Sequence, residues 1–141
     1  DQEDGEANTQ KMRESGIAAN IPILEYCKDG WYLPARNEME AVFNAYNGGP
    51  SQSSGLKPDA IKQEEKDARA AWDKILTDNG GDVMNVKADN TAGDSYFTST
   101  EADDASKVFY VRFGQWNPGL TGAKYAKSPA RYVRCIRKIS K

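Results

Sequence analysis

The clearest hydrophobic pattern lies in the last third of the chain, where three segments have the composition of β-strands. Each is rich in aromatic and β-branched residues and is bounded by Gly, Pro, Ser or Asp, as strands usually are. The segments are Ser95–Thr100, Val108–Phe113 and Ala130–Arg137. The last one alternates regularly and carries mixed side chains on both faces, which favours a central strand whose arginines end in solvent or in ion pairs.

A long connection runs between the second and third of these strands, from Gly114 to Pro129. It contains aromatic residues but little apolar periodicity, so we predict an irregular loop. A rigid sheet that holds such a loop is a common form of binding surface.

The earlier part of the chain has helical patterns. The clearest helix is predicted at Arg36–Tyr46, where Met39, Val42, Phe43 and Tyr46 recur at the spacing of one helical face. Two shorter helices are also predicted. One is capped by Asn8 or Thr9 and runs through Met12, and the other extends from Asn20 to Asp29.

A longer helix, rich in Ala, Glu, Lys and Gln, is predicted at Pro58–Asp78. Its charged face is expected in solvent, and its apolar stripe is Ile61, Ala68, Trp72, Ile75 and Leu76. Extended pieces are predicted at Trp31–Leu33 and, as one short strand, around Val83, Met84 and Val86. Helices that precede a small antiparallel sheet indicate an α+β fold. A chain of 141 residues fits one domain, residues 1–141.

Composition narrows the classes of function. The chain has 19 Lys and Arg against 21 Asp and Glu, a net charge of −2, and no basic run, so we expect no nucleic-acid partner and no anionic membrane. No apolar run approaches the about 20 residues that span a bilayer, so no membrane insertion is expected. No signal peptide is recognisable, which is expected of a mature or trimmed form or of a cytosolic protein. The lack of histidine removes the commonest general base and metal ligand.

Cys27 and Cys135 are the only cysteines, and two interpretations are open. Two thiols cannot complete a zinc site alone, so they are either buried free thiols or a disulfide. We favour the disulfide, which would join an early helix to the last strand and, in the loop-entropy model, stabilise the fold by ~4–5 kcal/mol. Such a bond would place the protein in an oxidising compartment.

Four motifs occur in an order that is typical of one known family. They are Asp4–Thr9, then Cys27 with Gly30–Met39, then Tyr96–Glu101, and last Tyr132–Arg137. The set resembles the bacterial DUF1566 family, whose members read roughly DG-x-x-NT, W-x-LP-x-x-x-E-L, YWSSTE and YVRCVR, and the resemblance covers nearly the whole chain. There are two departures. Phe97 stands where the family usually has Trp, and the chain starts at Asp1, where members usually carry a preceding β-hairpin segment.

The resemblance implies a C-type-lectin-like fold, in which early helices pack on a small twisted antiparallel sheet. The helix at about 58–78 would be an insertion. The N-terminal strand would be lacking, or borrowed from a partner or from upstream domains of a longer chain. The resemblance also supports the disulfide between Cys27 and Cys135, and it implies an exported protein, periplasmic or at the cell surface.

The expected function is a non-catalytic module that binds carbohydrate or protein. The predicted binding surface comprises the loop from Gly114 to Ser128 and the turn Glu101–Ser106. Its stacking and hydrogen-bonding residues are predicted to be Gln115, Trp116, Asn117, Tyr125, Lys107, Asp103 and Asp104. The alternative for Trp116 is a side chain that packs its own loop.

The sequence fits three other functions less well. Carboxylates and an amide at Glu101, Asp103, Asp104 and Asn117 suit calcium, but Pro118 stands where calcium lectins carry Asp, so we expect no metal and no cofactor. Formylglycine-generating enzymes share the implied fold, but both cysteines are expected to form a structural bridge, so no enzymatic activity is expected. A structural domain in an adhesin or other assembly is the main alternative to a binding module.

Overall fold

The structure, a computed structural model, describes residues 1–15, 22–49, 61–84, 95–101, 107–114, 119–126 and 132–139, with the backbone alone for Pro22, Ile23, Lys107 and residues 119–126. The helical elements are α1 (Gly5–Glu14), a 3-10 turn (Pro22–Glu25), α2 (Arg36–Tyr46) and α3 (Gln63–Asp78). The strands are β1 (Ser95–Glu101), β2 (Lys107–Arg112) and β3 (Gly119–Ala126). Helices precede an antiparallel sheet, which confirms the predicted α+β class.

The three strands form an antiparallel meander in the order β1-β2-β3. The register pairs Ser95 of β1 with Arg112 of β2, and Lys107 of β2 with Ala126 of β3. Strands β1 and β2 match two of the predicted segments to within one residue at each end.

Strand β3 lies in the segment for which the sequence predicts an irregular loop, and that prediction is wrong for residues 119–126. Its sequence is GLTGAKYA, in which Gly and Ala take half of the positions. Both residues are depleted in strands, so the local signal is weak. Backbone pairing with β2, which runs from Gly119 to Ala126, forms this strand without a regular apolar alternation.

The C-terminal segment is extended, but within residues 132–139 it is not the regular central strand predicted at Ala130–Arg137. Tyr132 makes a parallel bridge to Tyr96 of β1, and its N–H donates to β1 at 3.1 Å. Further along, Ile136 makes an antiparallel bridge to Tyr32 with N–O distances of 2.8 and 2.9 Å. Because the segment changes partner between the two bridges, no continuous ladder forms.

Helix α2 supplies the apolar face of the main core, and its bounds are those predicted. Met39, Phe43 and Tyr46 are buried on this face. Phe113, just after β2, places its ring centroid 5.3 Å from that of Phe43, 5.8 Å from that of Tyr46 and 5.2 Å from that of Tyr96. One aromatic side chain therefore joins the helix to the sheet.

Helix α1 begins earlier than predicted. Asp4 is its cap, and the Asp4 carboxylate accepts a first-turn N–H at 2.9 Å, so Asn8 and Thr9 lie buried inside the helix instead of capping it. The hydroxyl of Thr9 accepts the N–H of Leu33 at 3.0 Å. The Asn8 amide nitrogen donates to the Ser99 hydroxyl of β1 at 3.2 Å. These two polar side chains hold α1 against the rest of the fold.

The predicted disulfide between Cys27 and Cys135 is present, with a Cα–Cα distance of 5.4 Å. Cys27 does not lie on a helix, however. The helix predicted at Asn20–Asp29 is limited, among the described residues, to the 3-10 turn Pro22–Glu25. The chain then turns at Gly30, whose φ of 85° suits glycine and is incompatible with a continuing helix. The bond therefore joins a turn to the C-terminal segment.

Only part of the predicted apolar stripe is buried. Ile61 is buried just before α3, and Ala68 and Leu76 are half-buried, whereas Trp72 and Ile75 are 39% and 56% exposed. Arg69, which is not in the stripe, is buried. The Arg69 guanidinium donates to the Oδ1 of Asn47 at 2.8 Å and to the carbonyl of Phe113 at 2.7 Å. The helix is thus held through a buried cation at the ends of α2 and β2, and the prediction of a solvated charged face is wrong at this position.

The remaining predicted elements are only partly described. The predicted Pro58–Asp78 helix begins only at Gln63, because Ile61 and Lys62 are described and are not helical; residues 58–60 lie outside the described residues. Val83 and Met84 are described and form no strand, and Val86 lies outside. No helix in the described part of the chain is long and apolar enough to cross a membrane.

Candidate binding cleft

The predicted binding residues fall mostly outside the part of the chain that the structure describes. This holds for Asp103, Asp104, Gln115, Trp116 and Asn117. Lys107 and Tyr125 are described by their backbones, which lie close together because Lys107 pairs with Ala126 and Val108 pairs with Tyr125. The predicted surface stays a prediction.

The sheet register shows which strand ends lead into two segments of the predicted surface. Segment 102–106 follows Glu101 and leads into Lys107, whereas segment 115–118 leads into Gly119, which pairs with Arg112 at the other end of β2. Strand β2 has six residues, and a rise of about 3.3 Å per residue separates its ends by about 17 Å. The described strand ends that lead into the two segments therefore lie at opposite ends of the sheet.

A different feature, an open cleft of about 440 Å³, lies between the first turns of α1 and the segment Gly30–Tyr32. Its lining consists of Asp4, Glu6, Ala7, Gln10, Arg13, Gly30, Trp31 and Tyr32. Small-molecule sites in proteins usually enclose about 300–1,000 Å³, so the cleft has a suitable size. None of its lining residues is among those predicted from the sequence.

The wall on the α1 side is fixed by a close approach between two helix starts. An added Cβ at Gly5 would lie 2.5 Å from the backbone nitrogen of Ala35 and 2.5 Å from the carbonyl oxygen of Leu33. The Gly5 and Ala35 N–H groups both donate to one carboxylate oxygen of Glu38, at 3.0 and 2.8 Å. Glycine at this position therefore lets α1 begin against α2 and sets where Asp4 and the first turn stand.

The opposite wall alternates between an exposed and a buried aromatic side chain. Trp31 is 41% exposed at the cleft, whereas Tyr32 is buried and donates its hydroxyl to Glu38 at 3.1 Å. Burial, together with the nearby Glu38 carboxylate, raises the pKa of Tyr32 to about 12. Tyr32 is therefore a neutral phenol at physiological pH, and its hydroxyl is engaged inside the fold.

The C-terminal segment brings two cations to the same place. The bridge between Tyr32 and Ile136 sets the Arg137 guanidinium 4.9 Å from the Trp31 ring centroid and the Lys138 ammonium 5.8 Å from that of Tyr32. Cations over aromatic faces are attracted by the ring quadrupole. Both ends of the chain thus contribute to one face of the molecule.

Two acidic residues of the cleft lining, Asp4 and Glu6, have a cationic neighbour in Lys138 of the C-terminal segment, which is not itself a lining residue. Lys138 lies 2.8 Å from a Glu6 carboxylate oxygen and 3.9 Å from an Asp4 oxygen, and the hydrogen bond to Glu6 raises the pKa of Lys138. Because all three side chains are well exposed, solvent screens the pair strongly. Arg13 donates to the carbonyl of Cys27, which ties the back of the cleft to the disulfide.

The side chains of the cleft offer hydrogen-bond donors and acceptors and one partly exposed indole. Among the residues that the structure describes, no three side chains of the His, Cys, Asp or Glu type come together as a metal site.

Sequence reasoning missed this cleft. In an extended piece Trp31 and Leu33 share a face, and Leu33 is buried, so alternation alone does not predict that Trp31 is exposed. The meeting of Asp4 and Glu6 with Lys138 depends on the tertiary pairing of chain segments far apart in sequence, and no local pattern reports it.

Compared with protein-family models, with curated proteins and with solved structures, the chain shows no match.

Proposed function

We propose that this chain is a non-catalytic ligand-binding module with a C-type-lectin-like fold, which binds carbohydrate or protein on an exported bacterial protein. The observation that carries the proposal is the open cleft at Trp31. It combines an exposed indole with flanking carboxylate, amide and cationic groups on a frame closed by a disulfide. Aromatic rings with nearby polar groups are favoured at ligand sites because they supply apolar contact and direction at once.

The proposed location, periplasmic or at the cell surface, is supported by the disulfide. Such bonds persist in oxidising compartments and are rare in the cytosol. The bond also bears on the binding surface, because Arg13 of the cleft donates to the carbonyl of Cys27.

Tryptophan fluorescence can test both the proposal and its location on the molecule. The chain has three tryptophans, Trp31, Trp72 and Trp116. Three variants, each keeping one tryptophan and replacing the other two by Phe, would be titrated with oligosaccharides and with candidate protein ligands. We expect the Trp31 variant to respond, because its indole is partly open to solvent beside the cleft.

Each outcome of this titration decides something. A response confined to the Trp116 variant would move binding to the loop predicted from the sequence. A response in none of the variants, with no binding by calorimetry to the unsubstituted protein, would overturn the binding-module proposal.

A second candidate function is assembly into a larger surface structure, and the outer face of α3 favours it. Trp72, Ile75 and Val83 are 39%, 56% and 48% exposed, on α3 and on the segment after it. Large apolar side chains that stay in solvent are a common mark of protein contact surfaces. The double substitution Trp72→Ser and Ile75→Ser should abolish any self-association that the unsubstituted chain shows in analytical ultracentrifugation. It should likewise abolish any co-purification of a partner protein with the chain. Loss of contact in this variant, with ligand binding at Trp31 retained, would assign the two functions to separate faces.

A further inference from the structure

Resting on the proposed function, we infer that the cleft at Trp31 selects an uncharged, polyhydroxylated ligand, a neutral saccharide, and holds it without calcium. Asp4, Glu6 and Arg13 of the cleft lining each have a partner within the chain. A ligand without charge is therefore favoured over a charged carbohydrate or a protein.

An ion pair stands at the α1 side of the cleft. Lys138 bridges Glu6 at 2.8 Å and Asp4 at 3.9 Å, so these two carboxylates already face a cation. A cationic ligand would have to displace Lys138, and an anionic ligand would meet the two carboxylates. A hydroxyl group both donates and accepts, so it can bond the ammonium and a carboxylate oxygen of this pair at the same time.

The opposite wall of the cleft carries Trp31 and two arginines that have partners within the chain. Arg137 lies over the Trp31 ring at 4.9 Å, and Arg13 is engaged by the Cys27 carbonyl, so these cations also have partners within the chain. Trp31 still exposes 41% of its surface. An exposed indole gives a flat apolar surface for the C–H face of a sugar ring, while polar groups at its edge direct the hydroxyls.

The described carboxylates of the cleft are too few to hold calcium. Calcium takes about 6–8 oxygen ligands at close range. Asp4 and Glu6 are shared with Lys138, and the described residues hold no cluster of three or more acidic ligands. Binding at this cleft is therefore expected to be insensitive to EDTA.

The test uses the variant that retains Trp31 alone and a panel of oligosaccharides of equal length. The panel contains neutral oligomers of glucose, mannose, galactose and N-acetylglucosamine, the cationic glucosamine oligomer and the anionic galacturonate oligomer. We expect at least one neutral oligomer to bind and both charged oligomers to bind more weakly. Affinity should change little between about 0.05 and 0.5 M salt, a range in which charge-driven binding would be screened.

Substitution of the ion pair distinguishes the ligand classes. Lys138→Met removes one donor, and the neutral oligomer should bind about fivefold more weakly, the effect of one ordinary hydrogen bond. A site for cations would respond in the opposite way, with tighter binding of the glucosamine oligomer once Lys138 is gone. Lys74→Met is the matched control, because Lys74 forms an exposed ion pair with Asp78 on α3, whereas Lys138 pairs with the lining residues Asp4 and Glu6.

Failure of the inference can be told from failure of the proposed function. Binding of only charged oligomers, dependence on calcium, or binding of only a protein ligand at Trp31 would overturn the inference and leave a binding module. Absence of a response in all three tryptophan variants, with no binding by calorimetry to the unsubstituted protein, would overturn both.

Discussion

Helices α2 and α3 carry similar apolar patterns in the sequence, yet they meet the rest of the molecule in opposite ways. Helix α2 buries Met39, Phe43 and Tyr46 against the sheet. Helix α3 buries Arg69 and leaves Trp72 and Ile75 39% and 56% exposed. The apolar spacing of a helix therefore indicates that it forms, but which face it buries depends on the surface that it meets.

Arg69 of α3 meets two oxygens at the ends of other elements. Asn47 follows the last turn of α2 and presents its side-chain Oδ1, and Phe113 follows the last residue of β2 and presents its backbone carbonyl. An arginine fork can donate to both, and the guanidinium also lies 5.2 Å from the Tyr46 ring centroid. An apolar side chain here would leave the same acceptors buried without donors, which costs more than it gains.

The largest expected effect comes from the apolar face of α2. Phe43→Ala should lower the free energy of unfolding by about 3–5 kcal/mol, because it leaves a cavity beside the Phe113 ring. Trp72→Ala on α3 should cost clearly less, because 39% of the Trp72 surface already lies in solvent. Urea denaturation of both variants measures the difference. Equal costs would mean that α3 is packed through Trp72, and the contrast between the helices would be lost.

Arg69 tests the same contrast from the polar side. Arg69→Met removes the donors to Asn47 and Phe113, and each buried acceptor left unpaired costs about 1–3 kcal/mol. We expect a total loss of about 2–4 kcal/mol, and only partial rescue by Arg69→Lys, which keeps the charge but lacks the planar fork.

The control for Arg69 is Lys66→Met, an exposed cation on the same helix. Its effect on the urea midpoint should be close to zero. A stable Arg69→Met protein would indicate that the buried guanidinium contributes little and that α3 is held by other contacts.

These contrasts show where the sequence was informative. The bounds of α2 and of strands β1 and β2 were predicted because their apolar residues meet an apolar core, which makes local pattern and tertiary packing agree. The disulfide was anticipated as the favoured pairing of the only two cysteines. Strand β3 was missed because its pairing is carried by the backbone of residues such as Gly119 and Ala126, which give no side-chain pattern.

The cleft and the inward face of α3 were beyond local patterns for a shared physical reason. Each depends on a hydrogen bond or ion pair between a polar group of one element and a polar group of an element distant in sequence. Arg69 completes oxygens near Asn47 and Phe113, and Lys138 completes the carboxylate of Glu6 near the other end of the chain. Such pairs become visible only when the elements have been placed in three dimensions.

The smallest effect at neutral pH is expected at the junction of the two helices, where Tyr46 of α2 donates its hydroxyl to the Asp73 carboxylate of α3 at 3.2–3.3 Å. Burial, with the Asp73 charge as the next cause, raises the pKa of Tyr46 well above its usual value near 10. A folded-state pKa above the unfolded one means that the native protein holds the phenolic proton more tightly. The resulting stability is complete below about pH 10 and is lost as the pH rises through the folded-state pKa.

Tyr46→Phe should therefore flatten the decline of stability with pH above about 10, while costing only about 1 kcal/mol at pH 7. Unfolding by urea at a series of alkaline pH values measures this slope. Some decline should persist, because the pKa of Tyr32 is also raised, to about 12. Tyr26→Phe is the matched control, since that side chain is 79% exposed, and it should leave the slope unchanged. If Tyr46→Phe and Tyr26→Phe gave the same alkaline slope, the hydrogen bond between α2 and α3 would have no measurable part in joining the two helices.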